Sequence, residues 1–110
     1  MITRELMAEI HTMCEGKGFW PDHAIRDTNW FKLSRVALMH EELSECVHGI
    51  RKGLMDDKLP QFTMETCELA DTVIRILDYA EAYNLPLFDA IQRKVRYNSS
   101  RPFMHGDIKS

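Results

Sequence analysis

An all-α domain is the fold class this sequence predicts, and three observations predict it. Apolar residues recur at three- and four-residue spacing through four long stretches, the period of helices buried on one side. The stretches are bracketed by Thr or Pro at their starts and by Gly or Asn near their ends, the punctuation of helix termini. No segment alternates apolar and polar residues long enough to make a strand. At 110 residues the chain holds one domain, residues 1–110, with a four-helix core. That is near the size at which oligomerisation helps to complete a core.

Thr3 can cap a first helix reaching about Glu15, with Leu6, Ile10, Met13 and Cys14 as its apolar stripe. Gly16 and Gly18 stop it. Residues 18–28 carry Phe19, Trp20 and Pro21 without helical period and read as an ordered loop. A second helix spans about Asn29 to Lys52, with Leu33, Val36, Ala37, Leu43, Val47 and Ile50 as apolar positions, and Gly53 ends it at the C′ position. Residues 54–62 are a polar loop containing Pro60. Thr63 can cap a third helix that reaches about Tyr83, where Asn84 breaks it. Pro86 suits the first turn of a fourth helix continuing to about Ser99, and a short tail follows.

Bulk properties remove several function classes. A formal net charge of −3 leaves no broad basic footprint for duplex nucleic acid. Cys14, Cys46 and Cys67 are odd in number, far apart and outside any CxxC pair, which reads as free thiols in a reducing compartment. No apolar run approaches a membrane span. No basic segment followed by an apolar one opens the chain. A cytoplasmic protein is the expectation.

The chemistry is concentrated in two acidic pairs. Glu42-x-x-Glu45 and Glu68-x-x-Asp71 lie on separate helical stretches with 22 residues between them. Three residues along a helix turn about 300°, so each pair points its carboxylates from one face. If the two helices pack antiparallel, four carboxylates converge, with Glu41 at the rim. Glu68, Asp71, Arg75 and Asp78 fall within an arc of about 80°, opposite Leu69, Val73, Ile74, Ile76 and Leu77. Either pair alone reads as a solvated helix face. Both together form a cluster that would repel itself unless hard divalent cations filled it, and all-oxygen ligation suits Mg²⁺ or Mn²⁺. Glu45-x-x-His48 has the spacing of a di-iron half-motif, but no second ExxH occurs. His40-Glu41 begins like a zinc-protease motif, but Ser44 stands where the second histidine is required.

The fourth helix ends in a basic run, Arg93-Lys94-Val95-Arg96-Tyr97-Asn98-Ser99-Ser100-Arg101. Continued helix geometry aligns Lys94, Asn98 and Arg101, which could offer two cations and an amide to phosphate oxygens. Alone, the run reads as a solvated helix end favoured by the macrodipole. Beside an acidic metal site it becomes half of a phosphoryl-transfer apparatus.

Three segments carry a resemblance: "LMHEELSECVHGIRKG", "ETCELADTVIRILDYA" and "KVRYNSSRPFMHG". They closely resemble the MazG-like nucleotide pyrophosphohydrolases of the all-α NTP pyrophosphatase superfamily. The pattern is EExxE, a spacer, then ExxD, matched by Glu41, Glu42, Glu45, Glu68 and Asp71. "KGFW" and the "YN…RP…HG" tail resemble small phage and archaeal members, including the MazZ-type (d)NTP diphosphatases, so the likeness spans roughly residues 16–106. The resemblance implies hydrolysis of a nucleoside triphosphate between the α and β phosphates to a monophosphate and pyrophosphate. It implies Glu42, Glu45, Glu68 and Asp71 as Mg²⁺ ligands and Lys94, Asn98 and Arg101 as holders of the triphosphate. A purine (d)NTP such as dGTP or dATP is the implied substrate. Pyrimidine specificity of the dUTPase or dCTPase kind is the alternative.

In the expected reaction, Glu41 or Glu45 takes the proton of the attacking water, and Lys94 and Arg101 meet the charge of departing pyrophosphate. Trp20, Trp30, Phe19 and Phe31 flank the catalytic helix, and Asn29 or His23 could read a base edge. An aromatic ring there can stack on a base, although core or interface anchoring is the other role of such residues. His11, His40 and His105 show no partner in the sequence. The short core and the resemblance both imply a homodimer or homotetramer. A helical module that binds nucleotide without turning it over, and a structural bundle solubilised by its charges, are the readings from other classes.

Overall fold

The computed structural model describes residues 3–102, which form five helices and no strand. They are α1 (Arg4–Gly16), α2 (His23–Arg26), α3 (Asn29–Lys52), α4 (Met64–Ala82) and α5 (Leu87–Ser99). The tail residues Phe103, His105 and Gly106 lie outside the described residues. The all-α expectation holds, and the long helices begin and end within a residue or two of their punctuation. Thr3, Thr28 and Thr63 each accept a backbone N–H from three residues on, satisfying donors that a helix start leaves open. Gly53 closes α3 at φ 64°, a left-handed turn that glycine makes without penalty. Asn84 closes α4 in the same region at φ 54°.

Two expectations are corrected. Residues 18–28 are not all loop: Asp22 caps the single-turn helix α2 by accepting from the Ile25 amide. The four-helix core is carried by α1, α3 and α4. Of α5, only Leu87 and Phe88 reach the cluster of Met7, Leu77 and Ala80, and every residue from Asp89 to Ser100 is exposed. The Cα radius of gyration is 16.4 Å, against about 13 Å for a compact chain of this length. A helix that leaves the body accounts for the excess.

α4 is the central element, with α3 antiparallel on one side and α1 antiparallel on the other. Met7 is the most buried side chain of α1, while Met13 of the expected stripe is 46% exposed. A second cluster joins Cys14, Trp20 and Phe31, with Tyr79 and Tyr83 packed against it. Trp20 is pinned there by its indole N–H, which donates to both Asp78 oxygens at 2.9 and 3.1 Å. The Nδ1 of His11 meets Asp78 Oδ1 at 2.7 Å, so His11, whose partner the sequence does not reveal, is satisfied structurally by a residue 67 positions away.

α3 turns an acid-bearing face inward, while several of its apolar positions lie outside. Phe31, Glu42, Cys46 and Gly49 are its buried residues. Leu33, Val47 and Ile50 are 69%, 54% and 55% exposed. The face turned toward α4 is thus the one carrying a carboxylate, and much of the apolar stripe points away from the chain. No described helix is long and apolar enough to cross a membrane. All three cysteines are free thiols.

Candidate metal centre

A close approach of α3 and α4 sets up the site. A Cβ at Gly49 would fall 2.8 Å from Cβ and Cγ of Met64, so only a glycine lets the end of α3 lie this near the start of α4. Two turns back along the same face of α3 stands Glu42, opposite Glu68 and Asp71 of α4. The three carboxylates each offer an oxygen, and these atoms lie within 4.8 Å of one another. Glu42 is buried, Glu68 half-buried and Asp71 exposed, so the cluster opens from protein interior to solvent.

Its electrostatics are those of crowded negative charge. Burial, then the charges of Glu45 and Glu42, push the Glu68 carboxyl up to about 7. Burial also raises Glu42, reinforced by Asp71 and Glu45 and opposed by the Arg75 guanidinium. Arg75 Nη2 lies 3.5 Å from Glu42 Oε1. Such a group of carboxylates holds either a proton near neutral pH or a cation. The donor set fits a hard divalent ion, being all oxygen and anionic.

Glu45 and the cluster share a cleft of about 430 Å³. The α3–α4 loop forms its far wall through Asp56, Asp57, Lys58 and Leu59. The carboxylate of Asp56 is occupied by its own loop, accepting from the amides of Leu59 at 2.7 Å and Lys58 at 3.0 Å. These bonds hold its carboxyl below the usual range. Lys58 brings a cation to the mouth. A second cleft of about 280 Å³ leaves Glu42 and Asp71 in the other direction, past Phe19, Ile74, Arg75 and Asp78. It adjoins a third, of about 150 Å³, lined by Trp20, Arg35, Met39 and Tyr79 as well as Phe19 and Arg75.

Of the residues expected from sequence, Glu42, Glu68 and Asp71 come together and Glu45 borders them. Glu41 is exposed and does not line these clefts. Trp20 borders the third cleft, but it is buried and its N–H is committed to Asp78. Trp30 is 64% exposed, set edge-on to Phe31, and Asn29 beside it is exposed; neither lines these clefts. Lys94 and Asn98 ride on the outlying α5, and Arg101 lies just past its C-cap at Ser100. Lys94 Nζ and the Arg101 guanidinium gather over the Tyr97 ring at 5.6 and 5.3 Å from its centroid, away from the cleft linings. Sequence reasoning gave no role to Arg75, Asp56 or Lys58. Arg75 was detectable by its place on the acidic arc of α4, whereas the loop residues carry no periodic signal.

No protein-family model, curated protein or solved structure matches the chain.

Proposed function

We propose that the chain is a Mg²⁺-dependent nucleoside triphosphate pyrophosphohydrolase. It cleaves between the α and β phosphates to give a nucleoside monophosphate and pyrophosphate, with Mn²⁺ as a working substitute. The observation that carries this reading is the convergence of Glu42, Glu68 and Asp71 within 4.8 Å at an open cleft that Glu45 also lines. Those four carboxylates would hold the cations. Bound Mg²⁺ would neutralise phosphate charge and lower the pKa of a water. Glu45, at the open side of the cluster, accepts the proton of the attacking water. Within one chain, Lys58 lines this cleft and Arg75 lines the second cleft that leaves Glu42 and Asp71. Lys94, Asn98 and Arg101 join them in an assembly of two or more copies. Such an assembly is favoured by the outlying α5 with its exposed Ile91 and Val95, and by the apolar outer face of α3. A purine (d)NTP is the proposed substrate, on the strength of the likeness of "KVRYNSSRPFMHG" to small phage members.

The test is product release from a panel of canonical and modified (d)NTPs with Mg²⁺, separating pyrophosphate from orthophosphate. Pyrophosphate with monophosphate, lost in Asp71→Ala, supports the reading, and the best substrate identifies the base. No pyrophosphate from any nucleotide would move the chain to the class of nucleotide-binding helical modules.

A further inference from the structure

Arg75 stands where the carboxylate cluster meets the aromatic clefts. It lines both clefts on that side, beside Phe19 and Asp78 in each and beside Arg35 in the narrower one. Its Nη2 rests on Glu42 at 3.5 Å, a long contact for an ion pair. Its Nε is sealed from solvent without a hydrogen-bond partner, an unfavourable state for a buried donor. Asp78, which lines both clefts, is engaged by His11 and Trp20 and forms no ion pair with Arg75, whose salt bridge runs to Glu42. The guanidinium side chain is 41% exposed while Glu42 is 11% exposed, so the fork can turn toward the cleft while the carboxylate stays in place.

Resting on the pyrophosphohydrolase reading, we propose that Arg75 is the substrate-anion receptor of the site, held on Glu42 until a divalent cation takes that carboxylate. A cation at Glu42 carries the same charge sign as the guanidinium and competes for the same oxygen, so loading frees the fork. The freed fork has only donors to offer. An oxyanion of a phosphorylated ligand entering past Phe19 supplies the missing acceptors, Nε included, in the bidentate geometry that arginine provides and lysine does not. Metal loading and anion binding are thereby coupled through one side chain, with Arg75 a positioning residue and not a group that reacts.

Isothermal titration separates this from simpler roles. The probes are Mg²⁺ alone, then α,β-methylene-dATP and α,β-methylene-dGTP in saturating Mg²⁺, on wild type, Arg75→Gln and Arg75→Lys. Arg75→Gln should tighten Mg²⁺ on the order of tenfold, since a competing cation is gone. The same variant should weaken the better analogue by about tenfold or more, since a charged hydrogen-bond donor is gone. Arg75→Lys should leave Mg²⁺ affinity near wild type and still weaken the analogue. Weakening of both probes by Arg75→Gln, with the helical circular dichroism intact, would reduce Arg75 to a structural prop and overturn the proposal. Tighter Mg²⁺ with unchanged analogue binding would make it a bystander counter-ion and also overturn it. Pyrophosphate release by wild type, measured in parallel, keeps the two claims apart. The opposed shifts without turnover would uphold the receptor and remove the hydrolase, whereas turnover without them would do the reverse.

Discussion

Asp78→Ala should be the most damaging single change that leaves the proposed metal ligands intact. Asp78 is 9% exposed, and it accepts from Trp20 Nε1 at 2.9 and 3.1 Å and from His11 Nδ1 at 2.7 Å. Alanine strands the indole N–H of a tryptophan that is 8% exposed, worth about 1–3 kcal/mol. It also takes away the acceptor of the His11 ring N–H at 2.7 Å, a contact whose partners are 16% and 12% exposed; a hydrogen bond to a charged group is worth about 1.5–3 kcal/mol, for about 3–5 kcal/mol in all. Asn should do less harm. Its oxygen can stay on Trp20, and its amide can donate to His11 once the ring adopts the tautomer with Nδ1 as acceptor. About 3–5 kcal/mol is a large share of the roughly 5–15 kcal/mol that stabilises a domain. Urea unfolding at pH 7 without added metal, followed by far-UV and near-UV circular dichroism, measures it. The expected order of midpoints is wild type, then Asn, then Ala, with the Trp20 near-UV signal weakened first. A loss below about 1 kcal/mol for Ala would refute the view that Asp78 ties α1 and the Trp20 loop to α4.

Gly49→Ala gains helix propensity, about 1 kcal/mol, but its Cβ meets Met64 at 2.8 Å. A net loss of about 1–3 kcal/mol is expected from overpacking, and a stabilised variant in the same urea assay would contradict the close helix approach. The Glu68 carboxyl lies at about 7, above its ordinary value of 4.5. Between those two values the folded metal-free chain keeps a proton that the unfolded chain has lost, so this contribution to stability is present at low pH and fades as pH rises through 7. In EDTA, Glu68→Gln should flatten that fall in melting temperature between pH 6 and 8; a slope unchanged by the substitution would assign it to other groups. Metal must displace the same proton, so Mn²⁺ affinity should rise across that pH range, and a pH-independent affinity would place the ion elsewhere. Sedimentation at micromolar concentration should show a dimer or tetramer, while a stable monomer would leave the apolar face of α3 uncovered and remove the route by which α5 reaches a site.

How much of this was legible in the sequence follows from what local patterns can encode. Thr63, Gly53 and Asn84 gave the helix limits because caps act through the nearest backbone groups. α2 was missed because four residues hold no period, and only Asp22 hinted at it. The i, i+3 spacing of Glu42 with Glu45 and of Glu68 with Asp71 was enough to place carboxylates on shared faces. Periodicity says which residues share a face, not which face turns inward, so Leu33, Val47 and Ile50 were assigned to the apolar side without any sign that it would point outward. The hub at Asp78 joins residues 67 and 58 positions apart, a distance over which spacing has no say. Lys94 and Asn98 lie on α5, but the helix ends at Ser99 and Arg101 follows its cap, and the relation of all three to the carboxylates depends on where α5 docks, which one chain does not determine.

Manganese binding reads the carboxylate cluster itself. Titrating Mn²⁺ into the metal-free protein at pH 8, with the free ion read by electron paramagnetic resonance, counts sites and gives their affinity. A metal centre at Glu42, Glu68 and Asp71 should give saturable binding that Mg²⁺ displaces, that weakens by at least tenfold in Asp71→Ala and Glu68→Gln, and that is unaffected by Glu9→Gln on the far helix. Binding that is absent, or equal in all of these proteins, would contradict it, and the cluster of Glu42, Glu68 and Asp71 would be a proton-sharing group and not a metal centre.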